Sequence, residues 1–150
     1  MDSQLNDVAY LIQFKDCSNI KVSEKPISWH LDHTLKVINN MYNVLKNSDT
    51  AISTKHFNLL RSFLFTIEYI PRGKGQSPTS VLPPKEIRTE NLLSQLELSR
   101  ENLREIKKLD PNVNLIHPIF GQLNKKQTIR FLRIHTKHHL KIISDILAKK

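Results

Sequence analysis

The sequence predicts an all-α fold, a four-helix bundle with a long crossover loop and a short extra N-terminal helix. Three observations lead there. Apolar residues recur at three- and four-residue spacing through four long stretches, the period of a helix with one buried face. Two-residue alternation of β-branched residues, the mark of a half-buried strand, is missing. The chain has only 3 glycines, and its 7 prolines fall between the helical stretches, where a bundle needs loops. With 150 residues, 39% hydrophobic and 25% charged, residues 1–150 are expected to form one domain with a real core.

The elements follow in order. Within residues 3–15, Leu5, Val8, Leu11, Ile12 and Phe14 suit a short helix capping the end of the bundle. Cys17 to Pro26 is polar and closes on a proline, so it connects. Ser28 is the expected N-cap of a first long helix over 29–47. Its stripe is Leu31, Leu35, Ile38, Tyr42 and Leu45, widened by Val37, Met41 and Val44. After a turn at 48–53, a second helix over 54–69 carries Phe57, Leu60, Leu64 and Ile67 on one stripe, with Leu59, Phe63 and Ile70 beside it.

The stretch PRGKGQSPTSVLPP, 71–84, is longer than an antiparallel reversal needs and should cross the bundle. A third helix, opened by Pro84-Lys85-Glu86 or Thr89, covers about 86–109 and buries Leu92, Leu93, Leu96, Leu103 and Ile106. Charges of alternating sign mark its wet side, and Asp110-Pro111 ends it. The connection 111–123 holds Val113, Leu115, Ile116, Ile119 and Phe120, so it should pack down. Asn124 caps the last helix, 125–148.

Composition narrows the class of function. A formal charge of +9 arises from 23 Lys and Arg against 14 Asp and Glu. The basic residues are spread out, without aromatic interleaving, helix-turn-helix pattern or zinc-finger spacing. They suit a solvated surface that favours anionic small molecules better than a nucleic-acid interface. One cysteine, Cys17, excludes an internal disulfide and has no activating neighbour. With no basic-then-apolar leader and no long apolar run, the expected place is the cytoplasm, away from membranes.

Chemistry gathers around histidine. His135 and His139, in FLRIHTKHHL, are four apart and share a helix face with Leu132, Ile142, Ile143 and Ile146. Two imidazoles one turn apart can reach one metal ion. His138 falls about 100° round the helix from His139 and sits at the edge of that face. The first long helix offers His30 and His33, three apart, with His30 nearer the centre of the apolar stripe and His33 nearer its edge. His56, among polar neighbours, reads as a surface residue. A third nitrogen from the first helix would complete a three-histidine set with an open position, the pattern of catalytic rather than structural sites. Imidazole ligands suit zinc or nickel. Asp32, His30 and His138 are candidates for supporting groups or proton carriers. Arg72 and Lys74, beside Gly73 and Gly75, make an anion-friendly loop without phosphate-loop spacing, and His117 precedes Pro118. The 71–84 loop reads either as a plain crossover or as a substrate-contacting segment at the bundle mouth.

The segments WHLDHTLKVI, IPRGKGQSP, HPIFGQL and HTKHHLKII together resemble the DinB-like superfamily of metalloenzymes, and more narrowly a bacterial branch of it without an assigned reaction. The similarity covers roughly residues 28–148. It implies a four-helix bundle with a long crossover and a histidine triad, which maps onto His33, His135 and His139. Characterised members include thiol S-transferases and a thiol-dependent isomerase, and relatives often form homodimers. The resemblance thus implies a metal-dependent hydrolase or thiol S-transferase acting on a small molecule, anionic or a thiol. The rival expectation is a non-enzymatic bundle whose histidines are vestigial or structural and whose basic surface binds an anionic partner.

Overall fold

The computed structural model describes residues 1–48, 58–73 and 77–148. Its helices are α1 (Asp2–Leu11), α2 (Ile27–Lys46), α3 (Leu59–Ile67), α4 (Thr89–Lys108) and α5 (Lys125–Ala148). A small antiparallel hairpin, β1 (Asn114–His117) and β2 (Gly121–Asn124), precedes α5. The fold is all-α and bundle-like, as the helical periodicity predicts.

The longest apolar stripe belongs to α2, which becomes the centre of the bundle. Leu31, Leu35, Ile38, Tyr42 and Leu45 are all buried, and α2 packs against both α4 and α5. Asn39 and Asp32 meet successive turns of α4 in the same chain direction, so α2 and α4 run parallel. His30 meets His139 and His33 meets His135, so α5 runs antiparallel to α2. Polar groups pin the α2–α4 register. Asn39 Oδ1 accepts from Ser99 Oγ (3.0 Å) and Asn102 Nδ2 (2.9 Å), inside the core. Such a satisfied buried network fixes one alignment, because any slip would strand its donors.

Four expectations are corrected. First, α2 begins at Ile27, and Ser28 lies buried inside the helix rather than capping it. The first free N–H groups are met by main chain instead: Ile27 donates to the Cys17 carbonyl and Ser28 to that of Lys15. Second, α1 does not cover the bundle's end. It fills the side between α4 and α5, burying Leu5 and Val8, with Ile12 buried just after its end, Gln4 donating to the Arg133 carbonyl and Arg100 to Asn6.

Third, α3 sits at the edge of this core and gives it only part of its apolar run. It buries Leu64, Phe65 and Arg61, while Leu59, Leu60, Phe63 and Ile67 stay exposed. The apolar run is nearly continuous there, so periodicity alone did not separate inner from outer face. Residues 54–57 of the expected second helix, His56 among them, lie outside the described residues. Leu93, expected in the core on α4, is also exposed.

Fourth, the 111–123 connection contains the hairpin. Its strands are four residues each, too short for alternation to register, and only Leu115 and Leu123 point inward, as directly paired partners. Gly121, with φ +66°, supplies the left-handed residue that turns the chain into β2. The stretch packs down as expected: Val113, Leu115 and Phe120 are buried, although Ile116 and Ile119 are exposed. Asn124 does cap α5. Its Oδ1 accepts from the Gln127 N–H while Gln127 Oε1 accepts from the Asn124 N–H, a reciprocal capping box.

Candidate metal centre

Antiparallel packing of α2 on α5 brings two histidine pairs face to face, with His30, His33 and His139 buried and His135 half-buried. His135 and His139, one turn apart on α5, place their Nε2 atoms 3.2 Å from each other. His33 comes in from α2, with ring centroids 5.2 Å from His135 and 5.0 Å from His139. One nitrogen from each of His33, His135 and His139 lies within 4.8 Å of the other two.

The surrounding hydrogen bonds aim these rings. His33 Nδ1 donates to the Val81 carbonyl at 3.0 Å; a carbonyl can only accept, so the proton is on Nδ1 and Nε2 carries the free lone pair. His139 Nδ1 lies 3.1 Å from His30 Nδ1, and His30 Nε2 lies 3.0 Å from Ser23 Oγ. If His139 donates from Nδ1, its Nε2 is free, His30 Nδ1 accepts, and His30 donates onward to Ser23. That chain is self-consistent, since each ring then carries one proton. With the His135 proton on Nδ1, an atom that has no hydrogen-bond partner among the described residues, two Nε2 lone pairs face each other across 3.2 Å. Two imidazole nitrogens in one tetrahedral shell at about 2.0–2.1 Å from zinc lie about 3.3 Å apart. The donor set therefore fits an imidazole-favouring divalent ion.

Burial keeps the rings uncharged. His30 is held down at about 4, first by desolvation and then by neighbouring His33. His135 and His139 are held well below the usual 6.5 by burial first, then by the other histidines. His33 is lowered by burial against the opposing pull of its Val81 hydrogen bond. Neutral imidazole is the form that binds metal.

The cluster lines a cavity of about 750 Å³. The expected site residues sort clearly around it. His30 adjoins His139 and lines the cavity as well, but stands outside the three-nitrogen cluster. His138, half-buried, lines the cavity with its ring centroid 5.0 Å from His139. Arg72 and His117 also line it, and Arg72 is paired with Asp145 at 2.6 Å. Asp32 is not part of the cavity wall. It turns toward α4, where Gln95 Nε2 donates to it at 2.7 Å, and it pairs with Lys36 of its own helix at 2.7 Å; its charge still acts on neighbouring His33. Lys74 lies outside the described residues. The 71–84 loop contributes Arg72, Gly73, Ser77, Pro78 and Val81 to the wall, which makes it more than a plain crossover.

Three contributors were not foreseen. Trp29 stacks on His33 with centroids 4.9 Å apart and planes 20° from parallel, a contact that i,i+4 spacing could have suggested. Ser23 and the Val81 carbonyl carry no local pattern; only the folded chain brings them to His30 and His33. A second hollow, of about 440 Å³ between α1 and α4, contains no histidine or cysteine.

Comparison with known proteins adds no relative: no family model, no curated protein and no solved structure matches the chain. None of the described helices is long and apolar enough to cross a membrane.

Proposed function

We propose that the protein is a divalent-metal enzyme in which His33, His135 and His139 hold a zinc or nickel ion and the cavity admits a small-molecule substrate. The observation that carries this reading is the convergence of three neutral imidazoles, two of them with Nε2 atoms 3.2 Å apart, on the wall of a large cavity. A purely structural site would not need about 750 Å³ of adjoining space. The resemblance of WHLDH and HTKHH to the DinB-like superfamily supports the same assignment, and with it a hydrolase or thiol S-transferase reaction. A divalent ion in such a set supplies Lewis acidity and a lowered pKa to a coordinated water or thiol.

The chain's own residues divide the remaining work. His30 orients His139, and Val81 orients His33. Trp29 covers one face of His33 and shields it from bulk water. His138 and Arg72 stand on the cavity wall, where they can meet polar or anionic parts of a substrate.

Metal analysis of untagged protein tests the assignment. About one zinc or nickel per chain is expected, falling to background in His135→Ala and in His33→Ala. Equal, negligible metal in wild type and variants would overturn it. A metal-loaded protein that is stabilised by its ion yet turns over no ester, phosphoester or thiol-conjugate substrate would favour a scaffold.

A further inference from the structure

The cavity does not stop at the metal cluster. Its α2 wall runs from Trp29 to Val44, about 22 Å of helix at 1.5 Å per residue. Past the cluster the wall turns mostly apolar, with Met41, Val44, Leu115, Phe120 and Phe131, and Asn40 as the polar residue on α2. One polar ring interrupts it. His117, at the end of β1, packs between Phe120 and Phe131 with centroids 4.8 and 4.7 Å away. Phe131 in turn lies 5.4 Å from His135, so His117 stands one ring beyond the cluster.

The hairpin turn decides the tautomer of this ring. His117 Nδ1 accepts the backbone N–H groups of Ile119 (3.1 Å) and Phe120 (3.3 Å). A nitrogen that accepts is unprotonated, so the ring proton sits on Nε2, at the opposite edge. Burial holds the imidazole at about 4, and it is uncharged near neutrality. The molecule thus presents a fixed, neutral N–H donor in an apolar wall.

We propose that His117 is a ligand-binding residue whose Nε2–H donates to a neutral carbonyl oxygen carried on the apolar body of the cavity's small-molecule ligand. A plain hydrocarbon covering this half-buried ring would displace water and leave the N–H unpaired, which costs free energy. A carboxylate would bury a charge against an uncharged donor and aromatic rings. A ketone, ester or amide carbonyl avoids both penalties. Naming this ligand as the substrate rests on the metal-site reading above; the binding chemistry of His117 does not.

The test uses full-length, chelator-treated protein, so that neither outcome depends on metal. 4-Phenyl-2-butanone and 4-phenylbutyrate, similar in size and differing in charge, are titrated and followed by 1H–15N NMR of backbone and imidazole groups. The ketone should move the His117 Nε2–H resonance and bind at least about tenfold more tightly than the carboxylate. His117→Phe should weaken the ketone by about five- to tenfold, the worth of one hydrogen bond. His117→Gln, which keeps an N–H at the ring's outer edge, should recover part of that loss. An unmoved His117 resonance, equal binding of the two probes, or full ketone affinity in His117→Phe overturns the inference. Should His117→Phe fail to fold, the wild-type resonance and His117→Gln still decide. A protein that binds zinc but shows no ketone effect sinks this inference and leaves the metal site standing.

Discussion

Lowering the pH from 7.5 to 5.0 should destabilise the chelator-treated protein, and buried histidines should account for much of the loss. His30 is only 4% exposed and is held at about 4, mainly by desolvation. In the unfolded chain the same ring takes its proton near 6.5. Between those two values the unfolded state binds a proton that the folded state refuses. Stability is therefore full above about pH 6.5 and falls as the pH drops toward 4. At pH 5.0 the unfolded ring is almost wholly protonated and the folded ring about one-tenth, a loss of about 2 kcal/mol from His30 alone. His33, His117, His135, His138 and His139 are all lowered as well, so they act in the same direction. Urea unfolding at the two pH values, on wild type and His30→Gln, measures the effect. Wild type should lose at least about 2 kcal/mol and the variant less. Equal or greater stability at pH 5.0, or the same loss in both proteins, would refute the burial argument.

Other perturbations have equally definite outcomes. His30→Phe should leave the fold intact but weaken metal binding by about 10–100-fold in a chelator competition, because His139 loses the partner that orients it. Asn39→Leu should lower unfolding free energy by about 2–4 kcal/mol in denaturant titrations, since the buried donors of Ser99 and Asn102 lose their acceptor. Gly121→Ala should cost about 1–2 kcal/mol in the same assay. That penalty is conformational rather than steric, because a methyl there would meet nothing closer than Asn58 Nδ2 at 3.9 Å while φ stays at +66°.

How much of this was legible in the chain depends on the distance over which each decision is made. Helix boundaries set by local chemistry were readable: Asn124 caps α5 through its own i+3 neighbour, and Asp110-Pro111 closes α4. The start of α2 was not, because its first N–H groups find carbonyls about ten residues upstream instead of a side-chain cap. The hairpin escaped notice because two four-residue strands bury one leucine each, and a single inward residue has no period.

The histidines divide in the same way. That His135 and His139 would share a buried face is a property of the helix itself, since four residues return the chain almost to the same side. The edge position of His138 follows from the same rotation. Between His30 and His33, helical angle favoured His30 as the more central and only the resemblance pointed to His33; both prove to be buried, and the cluster takes in His33. What separates them is contact with partners far along the chain. Val81, 48 residues away, takes the Nδ1 of His33 and frees its Nε2, whereas His139, 109 residues away, takes the Nδ1 of His30 and leaves it outside the cluster. Helical period is local and survives in any fold that keeps the helix. Which nitrogen faces the cavity depends on where α5 and the crossover loop come to rest, and only tertiary packing settles that.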